Sequence, residues 1–181
     1  MDDSRQDTWL LAVDGSRGAE HAARYVAKTA KAFGAAKIRL VNVRLPPVGA
    51  ERMDARALRA AALEDAERAA ARARRIVELA GLPCALDAPV GDDPAAMIVG
   101  AAENLDAAEI VMGTRGVGVL SSITLGSVAY KVVHLARRSV TLVPERTRTG
   151  RAARNPLAIL IAVDGSPSAN RAVQHAAAQA A

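Results

Sequence analysis

Short apolar runs alternate along this chain with longer stretches whose apolar residues return every three or four positions, the signature of strands and helices in turn. Residues 9–13 form the first apolar run, which stops at Asp14-Gly15-Ser16. Residues 19–33 then carry helical spacing, with Ala22, Ala23, Val26, Ala27 and Ala30 on one face and Gly34 at the close. Residues 38–43 read as a second strand, and Pro46, Pro47 and Gly49 make a loop. Residues 54–80 read as a long amphipathic surface helix, with Leu58, Ala62, Ala66, Ala69, Ala73, Ile76, Val77 and Ala80 in register and Glu64 four positions before Arg68.

Gly81 and Pro83 end that helix, and residues 84–90 supply a third strand. Asp93-Pro94 opens a helix over 95–104, because proline at the first helical position gives up an N–H that has no partner there. A fourth strand at 110–112, a helix over about 123–136 and a fifth strand at 140–143, ended by Pro144, complete the series. Five alternations of strand and helix predict an α/β fold with a parallel sheet covered on both faces. On such sheets ligands bind beyond the carboxyl ends of the strands, where strand order reverses.

The chain also repeats itself. Leu160-Ile161-Ala162-Val163-Asp164-Gly165-Ser166 reproduces Leu10-Leu11-Ala12-Val13-Asp14-Gly15-Ser16 with one change, and Ala169, Ala172, Ala177 and Ala180 stand in step with Ala19, Ala22, Ala27 and Ala30. The expected organisation is a first domain over 1–144, a basic linker over 145–156, and the first strand and helix of an incomplete second repeat over 157–181. Such a unit cannot bury its apolar faces alone, so the strand at 157–163 is expected to pair with another chain or with a sheet edge.

Composition narrows the chemistry. Apolar residues make up 51% of the 181 but aromatics only 2%, so the core is built from Val, Ile, Leu and Ala. Of the net charge of +5, +3 lies from Glu145 onward, and without basic-aromatic alternation no stacking platform for single-stranded nucleic acid is expected. Cys84 is the one cysteine, which excludes a disulfide framework and favours a buried thiol. The N-terminal residues lack the layout of a secretory signal and no apolar run reaches a membrane span, so a cytoplasmic location is expected.

Candidate chemistry sits after the fourth strand. Gly113-Thr114-Arg115-Gly116 is followed after nine residues by Gly126-Ser127-Val128, where a helix can begin. Glycines let the backbone approach a ligand, and open N–H groups at a helix start attract an anion, so this is a candidate phosphate cradle. It is not a Walker loop, since no lysine follows the glycines, and no dinucleotide fingerprint follows the first strand. His21, His134 and His175 fall on different predicted helices without metal-ligand spacing, and Ser16 and Ser127 lack a nucleophile-elbow context.

The strand ending in Asp14, the segment Val41-Asn42-Val43, and Met112-Gly113-Thr114-Arg115-Gly116 with Gly126-Ser127-Val128 resemble the universal stress protein family over about residues 8–144. The resemblance implies an adenine-nucleotide-binding α/β fold with five parallel strands ordered 3-2-1-4-5, helices on both faces and a homodimeric assembly. It implies Asp14 and the Val43 backbone near the adenine and ribose, Gly113 and Gly116 near the ribose and phosphates, and Gly126, Ser127 and Val128 at the phosphates. Arg115 is a candidate phosphate partner. A local reading stands beside the first of these, with Asp14 as a strand-end cap. ATP is the expected ligand, with Mg²⁺ or Mn²⁺ held mainly by its phosphates. The expected role is stress response through nucleotide-dependent dimerisation or signalling, with at most weak ATPase activity, because no general base and no Walker lysine is evident. Two rivals are a slow ATP hydrolase or phosphotransferase and a nucleotide-free interaction module. Glu109 stands where the family commonly has Asp.

Overall fold

The computed structural model describes residues 8–47, 49–116, 125–145 and 160–180, in two compact units that divide after Arg146. The first contains five parallel strands, β1 (Thr8–Ala12), β2 (Lys37–Val41), β3 (Cys84–Asp87), β4 (Glu109–Gly113) and β5 (Ser139–Val143), ordered β3-β2-β1-β4-β5 as expected. The reversal point therefore falls between β1 and β4, the pair that ends in Asp14 and in the glycine loop.

Alternation along the strands divides the core in two. Trp9, Leu11 and Val13 of β1 and its extension meet Ile38 and Leu40 under α1 (Arg17–Thr29) and α2 (Ala55–Leu79). Leu10 and Ala12 meet Val41 and Ile110 under α3 (Pro94–Asn104) and α4 (Ser127–Leu135). Alanine does the work of close approach: Ala22, Ala23, Ala66, Ala70 and Ala73 are all buried on the α1–α2 side, where larger side chains would hold the helices off. Glu20 of α1 takes hydrogen bonds from Arg72 of α2 at 3.1 Å and from Arg24 at 3.2 Å, and the Arg72 bond leads in holding its carboxyl below the ordinary range.

Strand ends differ from the sequence expectation in one instructive way. β2 and β3 leave the ladder after Val41 and Asp87, and only an Arg44–Val90 bridge follows, because Pro89 supplies no N–H. α4 begins at Ser127, with extended Gly126 as its N-cap, so the expected helical residues 125 and 126 are not helical, and 123 and 124 lie outside the described residues. Cys84 is half-buried rather than buried, its Sγ 3.8 Å from Glu78 Oε1, and partial burial followed by that carboxylate pushes the thiol's pKa up.

The second unit holds α5 (Pro167–Ala180). Residues 160–163 form no strand, and Leu160 and Val163 are 97% and 65% exposed; positions 157–159 lie outside the described residues. The turn before α5 nevertheless copies its counterpart. Ser166 N–H donates to Asp164 Oδ1 at 2.9 Å and Ala169 N–H to Ser166 Oγ at 3.1 Å, against 3.0 and 3.2 Å at Asp14 and Ser16. Gly165 and Gly15 share φ values of 80° and 83°. The bonds from Ser166 hold Asp164 below its ordinary pKa.

Candidate functional site

β1 runs one residue past its ladder, since Val13 N–H still donates to Val41 O at 2.9 Å, and the chain then turns sharply. Gly15 takes the left-handed conformation that the turn demands, resting against the Ala69 carbonyl of α2. Asp14 Oδ1 accepts the Ser16 N–H, which realises the local cap, while Oδ2 faces the α-carbon of Gly116 so closely that a Cβ there would collide with it. Asp14 and the glycine loop, about one hundred residues apart, are thereby brought together.

The loop after β4 is tied at both ends. Thr114 N–H donates to Val143 O at 3.0 Å, and Gly126 N–H donates to Thr114 O at 2.8 Å. A Cβ on Gly126 would lie 3.6 Å from Arg115 Cα and 4.0 Å from Gly116 N, so the two glycine bends lie side by side. Gly126 spends its own N–H on Thr114, so that group closes the loop on itself.

The first-turn N–H groups of α4 have a different status. α1, α2 and α3 are capped by Ser16, Asp54 and Asp93, and α5 by Ser166, whereas no side chain among the described residues caps α4, whose N-cap is Gly126. Ser127 is exposed at this uncapped start and Val128 packs its side chain into the lower core, leaving its backbone as the part that can face a ligand. An uncapped helix start concentrates positive potential from aligned N–H groups.

Gly113 has a second reason to be glycine. A Cβ there would lie 2.7 Å from the carbonyl carbon of Gly18 and 2.9 Å from its oxygen, while a Cβ on Gly18 would collide with the Arg115 carbonyl oxygen. Gly18 stands in the first turn of α1, where glycine costs about 1 kcal/mol relative to alanine. That misfit is the one sequence signal of a close backbone approach at this position.

Val43 sits beyond the end of β2, packed against the lower core. Its neighbour Asn42 is 3% exposed and donates Nδ2–H to Val13 O at 2.7 Å, while its Oδ1 is buried with no hydrogen-bond partner among the described residues. A buried acceptor without a partner costs about 1–3 kcal/mol. Arg115 is half-buried, and its Nε is likewise buried without a partner among the described residues. Among the described residues no group of three or more His, Cys, Asp or Glu could hold a metal ion, and no helix is long and apolar enough to cross a membrane. A groove of about 670 Å³ beside β3, lined by Leu58, Arg59, Pro89, Val90 and Leu105 among others, contains none of the sequence-assigned residues.

Comparison with known proteins agrees with the fold. The profile of the Universal stress protein family matches residues 7–144. A relative from Thermus aquaticus, a universal stress protein in the QAH/OAS sulfhydrylase 3′ region, is 39% identical over 140 residues, which cover 75% of this chain and 97% of the relative. The crystal structure of a universal stress protein from Archaeoglobus fulgidus DSM 4304 is similar with a TM-score of 0.71 and 26% identity, covering 96% of this chain and 62% of that longer one. Another A. fulgidus universal stress protein, solved in complex with dAMP, has a TM-score of 0.56 and 26% identity, covering 76% of this chain and 97% of that one.

Proposed function

The chain belongs to the universal stress protein family, and from that premise we propose that it binds ATP where the ends of β1 and β4 meet, and acts in stress response through nucleotide occupancy. The observation that carries this reading is the start of α4, uncapped by any described side chain, set beside two touching glycine bends, with the Asp14 carboxylate against one of them. The dAMP bound by the A. fulgidus relative supports an adenine nucleotide as the ligand class.

In this reading each group has a definite task. The Asp14 carboxylate accepts hydrogen bonds from ribose hydroxyls, and the Val43 backbone reads the base edge. The Ser127 hydroxyl and the Ser127 and Val128 N–H groups receive the phosphates, because an anion completes what a capping side chain supplies in the other helices. Arg115, whose Nε lacks a partner among the described residues, turns its guanidinium to the phosphates. Gly113 and Gly116 keep the loop low enough to admit the ligand. Mg²⁺ or Mn²⁺ arrives on the polyphosphate and would neutralise its charge. With no general base beside the site among the described residues, the protein holds the nucleotide and hydrolyses it slowly at most. It works as a homodimer, and the tail, where Leu160 and Val163 are exposed, pairs with another chain.

Calorimetry with ATP and Mg²⁺ tests the reading. Wild type binds, and Gly126→Val loses at least about tenfold in affinity with little loss of fold, because Gly126 has an ordinary extended backbone at φ −72° and a Cβ would meet its nearest neighbour at 3.4 Å. Equal affinity in the two proteins would remove α4's start from the site. Sedimentation analysis of wild type and of Leu160→Lys tests the assembly; identical mass would separate the tail from it.

A further inference from the structure

We infer that Asn42 is a positioning residue of the nucleotide site, holding the Asp14 turn at the height where its carboxylate meets the ribose; this rests on the ATP-binding reading above. Ile38, Leu40 and Asn42 alternate onto the face of the sheet that α1 and α2 cover, and the first two are fully apolar and buried. A third apolar residue is the default at such a place, so a buried amide there calls for an explanation.

The ladder supplies it. β1 and β2 pair in register as far as Ala12 with Val41, and the next main-chain bond, from Val13 N–H to Val41 O, is the last between them. The Asn42 N–H points the other way, to Asp87 O at 3.1 Å, as β2 continues toward β3. The Val13 carbonyl is therefore held by the Asn42 side chain at 2.7 Å. That carbonyl belongs to the peptide that joins Val13 to Asp14, so whatever fixes its plane fixes the direction in which Asp14 leaves the strand. Asp14 then has both oxygens engaged, Oδ1 by Ser16 N–H and Oδ2 against Gly116, and a small rotation of the peptide would displace both.

The test uses the full chain. Asn42→Leu keeps the volume and removes the donor; it is expected to weaken ATP with Mg²⁺ by about tenfold, the scale of one lost hydrogen bond. The same change weakens 2′,3′-dideoxy-ATP by less than about twofold, since Asp14 has no hydroxyl to meet there, and its effect on ATP vanishes in an Asp14→Ala background. Asn42→His, which retains an N–H donor, restores most of the affinity. In the unliganded protein, amide exchange at Ser16 and Ala19 accelerates in Asn42→Leu by about tenfold. Wild-type affinity with unchanged exchange overturns the inference, as does an equal loss for both nucleotides in both Asp14 backgrounds, which would mark a purely structural role. Should Asn42→Leu fail to fold, Asn42→Ser carries the same measurements. If wild type itself binds no nucleotide, the ATP reading fails separately, and exchange at Ser16 and Ala19 alone decides whether Asn42 sets the turn, unchanged exchange overturning it.

Discussion

Replacing Gly113 by alanine should damage the fold before it touches any ligand. The added Cβ would lie 2.7, 2.9 and 3.0 Å from the carbonyl carbon, oxygen and α-carbon of Gly18, all backbone atoms in the first turn of α1. Carbon atoms rest at about 3.5–4.0 Å, so the start of α1 must retreat from β4 by about 1 Å. Overpacking of this kind costs about 1–3 kcal/mol, and three rigid contacts put Gly113→Ala in the upper half of that range. For a domain of this size that corresponds to a melting temperature lower by about 5–10 °C. Gly126→Ala is the control, since its Cβ meets nothing closer than 3.4 Å, and it should lose only about 1 kcal/mol or less from the weaker N-cap. Thermal unfolding followed by circular dichroism reads both, and Gly18→Ala with the double variant should show non-additive losses because the two residues touch. Gly113→Ala melting with wild type would refute the interlock and return Gly113 to a purely ligand-facing role.

Two further predictions concern the polar pocket under α1. Thr141 Oγ1 donates to the buried Glu109 carboxylate, so Thr141→Val should destabilise by about 1–3 kcal/mol in urea unfolding, and a neutral result would show that the hydroxyl is dispensable. Burial, and then the Glu109 charge, raise the Tyr25 phenol above its ordinary value of 10.0. The folded state therefore favours the protonated phenol: its contribution is full below pH 10 and is lost as pH rises through the higher folded pKa. Urea unfolding and phenolate absorbance should show stability falling at alkaline pH in wild type and less steeply in Tyr25→Phe; identical slopes would sink the assignment.

Much of the fold was legible because strand runs and helical stripes do not overlap in this chain. Leu10, Leu11, Ile110 and Val111 announce strands covered on both sides, and Ala22, Ala66 and Ala73 announce helices that lie close to them. Strand order was not read from any residue; it came with the family resemblance carried by the glycines. Two helix starts differ from the periodicity: α1 begins at Arg17 because Ser16 caps it, and α4 waits until Ser127 because Gly126 is extended. Within the site, Asp14, Gly116 and Gly126 were found as individual signals, but their meeting depends on three-dimensional closure. The contacts made by Gly18 and Asn42 with Arg115 and Val13 span 97 and 29 positions, and no local pattern encodes such distances. Asn42 in particular looks like a flaw in an apolar run until the Val13 carbonyl above it is seen.

The duplicated segment poses a problem of identity for the folding chain, since 160–166 is nearly interchangeable with 10–16 as an insert between β2 and β4. Proximity alone discriminates weakly: closing the longer connection costs only about 1.4 kcal/mol more. The steric lock does better. Where the first segment carries Gly18, the second carries Ser168, and any side chain in that slot strikes the Arg115 carbonyl. A residue with a Cβ at position 18 would thus be barred from the close approach that Gly18 makes to the loop after β4.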